Sequence, residues 1–119
     1  QYFEHRGMRL RVVEDERHHR WVGVAGVRRI MPGLPRDAVL RRQFPDGVRD
    51  EPAAGGTVIH ADALLAYLGR ANEAESVKLR NWLEREVVRP AATIRARLGI
   101  HDPVPTGTLP TSAVLPKDG

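Results

Sequence analysis

The stretch NEAESVKLRNWLEREVVRPAATIRARLG, Asn72 to Gly99, decides how the rest of the chain must fold. Val77, Leu79, Trp82, Leu83, Val87, Ala91, Ile94 and Leu98 recur at three- and four-residue spacing, which gathers apolar side chains on one side of a helix. Lys78, Arg80, Arg85, Arg89, Arg95 and Arg97 fall mostly elsewhere and give the helix a basic back. Asn72 and Glu75 have the N-x-x-E spacing of a capping box, in which each side chain accepts from an N–H that the first turn leaves unpaired. Gly99 takes a positive φ cheaply and stops the helix. Pro90 has no N–H for the carbonyl of Glu86, so a kink is expected there, or two helices meeting at Arg89 and Pro90. At 1.5 Å per residue the whole stretch would run roughly 40 Å, and what precedes it must pack onto its apolar side.

Upstream, the period changes from helical to two. Tyr2 to His5 is a short strand candidate; after a turn at Arg6 and Gly7, Met8, Leu10 and Val12 alternate with Arg9, Arg11 and Val13. Glu14 to Arg20 is wholly charged or His and reads as a solvated hairpin loop, after which Trp21, Val22 and Val24 resume a strand. A short helix is expected from about Ala25 to before Pro32, and a helical turn over Arg36 to Arg42. Phe44 to Gly56 is rich in Pro, Gly and charge and reads as a long mobile loop. Thr57 to Ile59 is one more strand. Asp62 is placed to cap a helix carrying Ala63, Leu64, Leu65, Tyr67 and Leu68 and ending near Arg70.

These elements define an α+β fold, a small antiparallel β-sheet packed against three or four helices, the longest kinked at Pro90. The expected core is Trp21, Leu64, Leu79, Trp82, Leu83, Val87 and Ile94. The domain spans residues 1–100; residues 101–119, with prolines at 103, 105, 110 and 116, read as a Pro-rich tail or linker. Because residue 1 is Gln, the chain is expected to be trimmed or cut from a longer protein.

Composition narrows function by exclusion. There is no Cys, which rules out disulfides and cysteine metal sites and favours a reducing, cytoplasmic setting; no apolar run is long enough for a membrane span. The five histidines carry no HExxH spacing, Ser76 and Ser112 sit in no nucleophile motif, and Gly55 and Gly56 precede a strand rather than join a strand to a helix. No enzyme chemistry and no cofactor is therefore expected. Nineteen basic against fifteen acidic residues give +4, and seventeen of the nineteen are Arg, whose planar fork suits phosphate. Six arginines against two aspartates lie between Arg28 and Arg49. Arg28, Arg29, Arg36, Arg41 and Arg42, and on the long helix Arg85, Arg89 and Arg95, are the candidate nucleic-acid contacts.

The order of these pieces, RLRVV, a charged hairpin, WVGVAGV, VIHADALL and then the long helix with Trp82 and Pro90, resembles the BRO family N-terminal domain of large-virus BRO proteins and of phage and prophage antirepressors. Trp21 and Val27 match the outer positions of the family's W-F-V-A-x-D-V. Ser76, Leu79, Trp82, Leu83, Glu86, Val87, Val88 and Pro90 match its helix pattern. This chain departs by carrying Gly26 in place of an Asp and Arg89 as one extra residue before Pro90. The resemblance implies a DNA-binding transcription regulator in a bacterium or virus-infected host, with double-stranded DNA as partner. The alternative it leaves is an antirepressor that docks on a repressor protein, or self-associates, through surplus apolar surface at Val87, Val88 or Ile94.

Overall fold

A computed structural model describes residues 2–71 and 73–106. Strands β1 (Tyr2–His5), β2 (Met8–Glu14), β3 (Arg20–Gly23), β4 (Val48–Glu51) and β5 (Gly56–His60) form one antiparallel sheet in the order β1-β2-β3-β5-β4. Helices α1 (Val24–Ile30), α2 (Asp37–Gln43), α3 (Ala61–Arg70), α4 (Ala74–Leu83) and α5 (Arg89–Arg97) complete an α+β domain. The sheet is larger than the period-two signal suggested. Phe44 to Gly56, read as a loop, contains β4 and a 3₁₀ turn over Pro52–Ala54. Only Val48 of β4 is buried, so the strand has almost no apolar alternation and is set by pairing Val48 with Ile59 and Glu51 with Gly56.

Alternation gives the sheet two faces with different tasks. Leu10, Val12, Val22, Val48 and Ile59 point inward and join Val24, Val27, Leu40, Phe44, Leu64, Leu68, Leu79, Trp82, Leu83 and Val87 in one core. Arg9, Arg11, Trp21, Arg49, Val58 and His60 take the outer face. Trp21 is buried as expected, yet it lies outside that core cluster, against His60 on the other side of the sheet. Gly26 has a packing reason. A Cβ there would sit 3.0 Å from Leu10 Cδ2 and 3.3 Å from the Arg9 carbonyl, so a side chain would force those neighbours to give by a few tenths of an ångström.

The long helix begins at Ala74 with Glu73 as its uncapped N-cap; the capping role read for Asn72 falls outside the described residues. Trp82 packs its edge on Phe3, 6.4 Å between centroids, and lies against His5 at 5.1 Å. Two members of the apolar stripe do not reach the core: Val77 is 42 % and Leu98 59 % exposed. Ile94 is half-buried and outside the core cluster, because the helix has by then run past the sheet to the β2–β3 hairpin.

The break before Pro90 is a π-helical segment, Glu84–Val88, closed by Arg89 N–H donating to the Glu84 carbonyl five residues back. A π-turn accommodates one extra residue in a helix. Pro90 then leaves the Glu86 carbonyl without its helical donor. Arg20 supplies one instead: its Nη1 donates to the carbonyls of Glu86 at 3.4 Å and Val87 at 3.2 Å, while its Nε holds Glu14 at 2.9 Å. Arg20→Met removes these donors together with the guanidinium whose carbon lies 5.7 Å from the Phe3 ring centre, and should cost about 1 kcal/mol or more in urea unfolding. An unchanged midpoint and slope would show that solvent serves those carbonyls equally well.

Candidate functional site on the outer sheet face

Arg9 and Arg11 follow each other at i and i+2 on β2, so both project from the outer face. Their guanidinium carbons lie 5.1 and 5.0 Å from the ring centre of Tyr2, and Arg11 Nη2 donates to the Tyr2 hydroxyl. Arg29 joins them from α1. The three arginines line one cavity of about 230 Å³ with Tyr2, Gly23, Ala25, Gly26 and Ala54. No carboxylate of the described residues comes within ion-pair distance of Arg9, Arg11 or Arg29. Like charges sharing a cavity repel one another and favour a bound anion.

The arginines singled out from the sequence fare differently. Arg28 donates to the Pro35 carbonyl at 2.9 Å and pairs with Asp37 at 3.0 Å. Burial pushes the Asp37 carboxyl up, but hydrogen bonds from Thr57 and Arg28 outweigh it and hold the group below its ordinary range. Arg41 is paired with Asp50 at 2.9 Å, Arg85 with Glu86 at 2.9 Å and Arg89 with Glu84 at 3.7 Å. Arg95 is 6 % exposed and donates to the His18 carbonyl at 2.8 Å, tying α5 to the hairpin; it is a structural residue and not a surface contact. Arg29, Arg36 and Arg42 remain exposed, with no ion pair among the described residues. The arginines of the long helix stand beyond the inner face, so they do not share a surface with Arg9 and Arg11. Of the three apolar residues considered for a protein partner, Val87 and Val88 are buried and Ile94 is half-buried.

The β2–β3 loop is less solvated than its composition suggests. Asp15 organises it: Oδ1 accepts the N–H of Arg17 at 2.9 Å and of His19 at 3.0 Å, and Oδ2 accepts Trp21 Nε1–H at 3.0 Å. His19 is buried and its Nδ1 lies 2.8 Å from His60 Nε2. His60, not Asp62, caps α3, its Nδ1 accepting the Asp62 N–H at 3.0 Å. That bond settles the tautomers by elimination. His60 must carry its proton on Nε2 and donate it to His19 Nδ1; His19 then presents Nε2–H, 3.2 Å from Asp102 Oδ2. Burial, then the charges of His19 and Arg95, lower the His60 pKa to about 3.

The first residues of the Pro-rich segment lie on this face. Asp102 accepts from Arg17 Nε at 3.0 Å and Nη2 at 2.7 Å, and the Thr106 carbonyl accepts from Arg70 at 3.2 Å. Between these anchors Pro103, Val104 and Pro105 roof a cavity of about 330 Å³ with Asp15, His19, Trp21, Asp46 and His60. Residues 107–119 of that segment fall outside the described residues. Among the described residues no group of three or more His, Asp or Glu side chains is placed to hold a metal, and no helix is long and apolar enough to cross a membrane.

The fold and this face define an α+β domain with an arginine-lined cavity at one end of a sheet and a buried histidine pair at the other. Comparison with known protein families, with curated proteins and with solved structures finds no match, so the likeness to BRO-type domains stands on the sequence motifs alone.

Proposed function

We propose that the domain is a DNA-binding module of the BRO or antirepressor kind, holding double-stranded DNA chiefly through arginine–phosphate contacts on the outer sheet face. The observation that carries this reading is the cavity formed by Arg9, Arg11 and Arg29, three guanidiniums unneutralised by any described carboxylate. Arg forks of this kind engage phosphate oxygens in pairs, and releasing the counterions of DNA would supply most of the affinity. Arg36 and Arg42, exposed and without an ion pair among the described residues, would add weaker contacts, whereas Arg28 and Arg41 are occupied by Asp37 and Asp50.

Joint charge reversal, Arg9→Glu with Arg11→Glu, should weaken DNA binding at low salt by about tenfold or more and flatten the dependence of log K on log salt by about two. Reversal of Arg85 and Arg89 on the long helix should change little. A gel shift series from low to moderate salt reads both. DNA binding that ignores salt, or none at the lowest salt, would remove this reading in favour of protein docking, which size-exclusion chromatography with a candidate repressor would then test.

A further inference from the structure

We propose that Arg17 and His19 form a second anion site, at the hairpin end of the outer face, in which the Asp102 carboxylate stands where a phosphate binds. Three donors converge on that carboxylate: Arg17 Nε at 3.0 Å, Arg17 Nη2 at 2.7 Å and His19 Nε2 at 3.2 Å. A guanidinium edge with one further N–H is the arrangement that two oxygens of a phosphate group accept as readily as those of a carboxylate.

Two features make the site preformed rather than a by-product of the segment lying on it. The loop backbone is fixed from below, because Asp15 holds the N–H groups of both Arg17 and His19. The direction of the His19 proton is fixed independently of Asp102, since the bond from Asp62 N–H to His60 and the bond from His60 to His19 leave Nε2 as the protonated atom. His19 is itself nine-tenths buried, so its outward N–H has few other acceptors to choose from.

Two further features make the carboxylate displaceable. The Arg17 side chain is 59 % exposed, and an ion pair so open to solvent is worth little. The residues that follow Asp102 span a cavity of about 330 Å³ instead of filling it, and are held at their far end by Pro105 against Gly47 and by Arg70 at the Thr106 carbonyl, so Asp102 can leave its donors while the segment stays attached. Arg49, whose guanidinium carbon lies 3.9 Å over the Trp21 ring, stands on the same face at the β4 edge, where Glu51 pairs with it at 3.5 Å. A phosphate chain crossing the face would meet cations at both ends. Asp102 thus acts as an intramolecular competitor that tempers the affinity of the face for polyanions. That the incoming phosphate belongs to a nucleic acid rests on the reading above; the anion site does not.

The test uses the full chain with Asp102→Asn, which keeps the shape of the side chain and removes its charge. Inorganic phosphate is titrated while the ¹H–¹³C resonances of the histidine rings are followed, and DNA affinity is measured in parallel by anisotropy of a labelled duplex. Phosphate should shift His19 in the variant at lower concentration than in the unsubstituted chain. DNA should bind the variant about three- to fivefold more tightly, a gain that Arg17→Gln cancels. Should Asp102→Asn melt, phosphate titration of the unsubstituted chain reads the same displacement at higher concentration. A phosphate response without DNA binding would uphold the anion site and defeat the nucleic-acid reading. DNA binding that depends on Arg9 and Arg11 but ignores Asp102→Asn, with a silent His19, would leave that reading standing and overturn this one.

Discussion

Trp82→Ala should cost about 3 to 5 kcal/mol of stability, measured by urea or thermal unfolding of the full chain. The indole is 9 % exposed and links three layers: Phe3 and His5 of the edge strand, the inner-face core, and the turn of α4 that leads into the π segment. Removing it would leave a cavity that a neighbour cannot close, because Leu79 and Leu83 are already fully buried on either side. His5 Nε2 would also lose the ring that covers it; it is buried without a hydrogen bond, 3.9 Å from Glu75. A domain of this size typically has 5 to 15 kcal/mol in all, so the variant should melt many degrees lower or fail to fold. Trp82→Phe, which preserves most of the burial, should lose less than half as much. Near-native melting of the alanine variant would mean that β1 and the long helix do not depend on one another.

Stability should also fall as the solution is acidified from pH 6.5 towards 4.5, by about 2 to 3 kcal/mol from His60 alone. In the unfolded chain this imidazole titrates near 6.5, whereas in the fold burial and the neighbouring His19 and Arg95 bring it down to about 3. Between those values the unfolded chain binds the extra proton and the native one does not, so stability rises with pH up to about 6.5 and is flat above it. His5 is depressed by burial and works in the same direction. The structural cause of the penalty is plain. A proton on His60 Nδ1 would expel the Asp62 N–H and uncap α3, and one on His19 Nδ1 would face the His60 N–H. Depressed carboxyls such as Asp15, Asp37 and Asp102 add their losses only below about pH 4. Chemical denaturation at pH 7.5, 6 and 5, on the parent and on His60→Asn, separates these contributions: the parent should slope steeply and the variant should keep only the shallower slope that His5 leaves. Equal slopes would place the titrating group elsewhere.

Much of the architecture is legible in the chain because its signals are local. The stripe through Leu79, Trp82, Leu83 and Val87 fixes which side of the long helix is buried. The alternation from Met8 to Val13 makes a strand, and Pro90 marks a break, since each depends only on the geometry of neighbouring residues. The i, i+2 spacing of Arg9 and Arg11 was equally visible. A period of two says that two side chains share a face without saying what else shares it.

Which face stays open, which arginines are free and which histidines are buried depend on partners distant in sequence. Arg41 is neutralised by Asp50, Arg95 is buried beneath the carbonyl of His18, and His19 meets His60 forty-one residues away and Asp102 eighty-three away. Charge and hydrogen bonding act through space over a few ångströms, so a sequence lists the donors and acceptors while only the fold chooses the pairs. The chain alone determined that an amphipathic helix would close a small sheet over one core. The tertiary structure alone decided that Arg9, Arg11 and Arg29, scattered in the chain, would line one cavity away from the long helix.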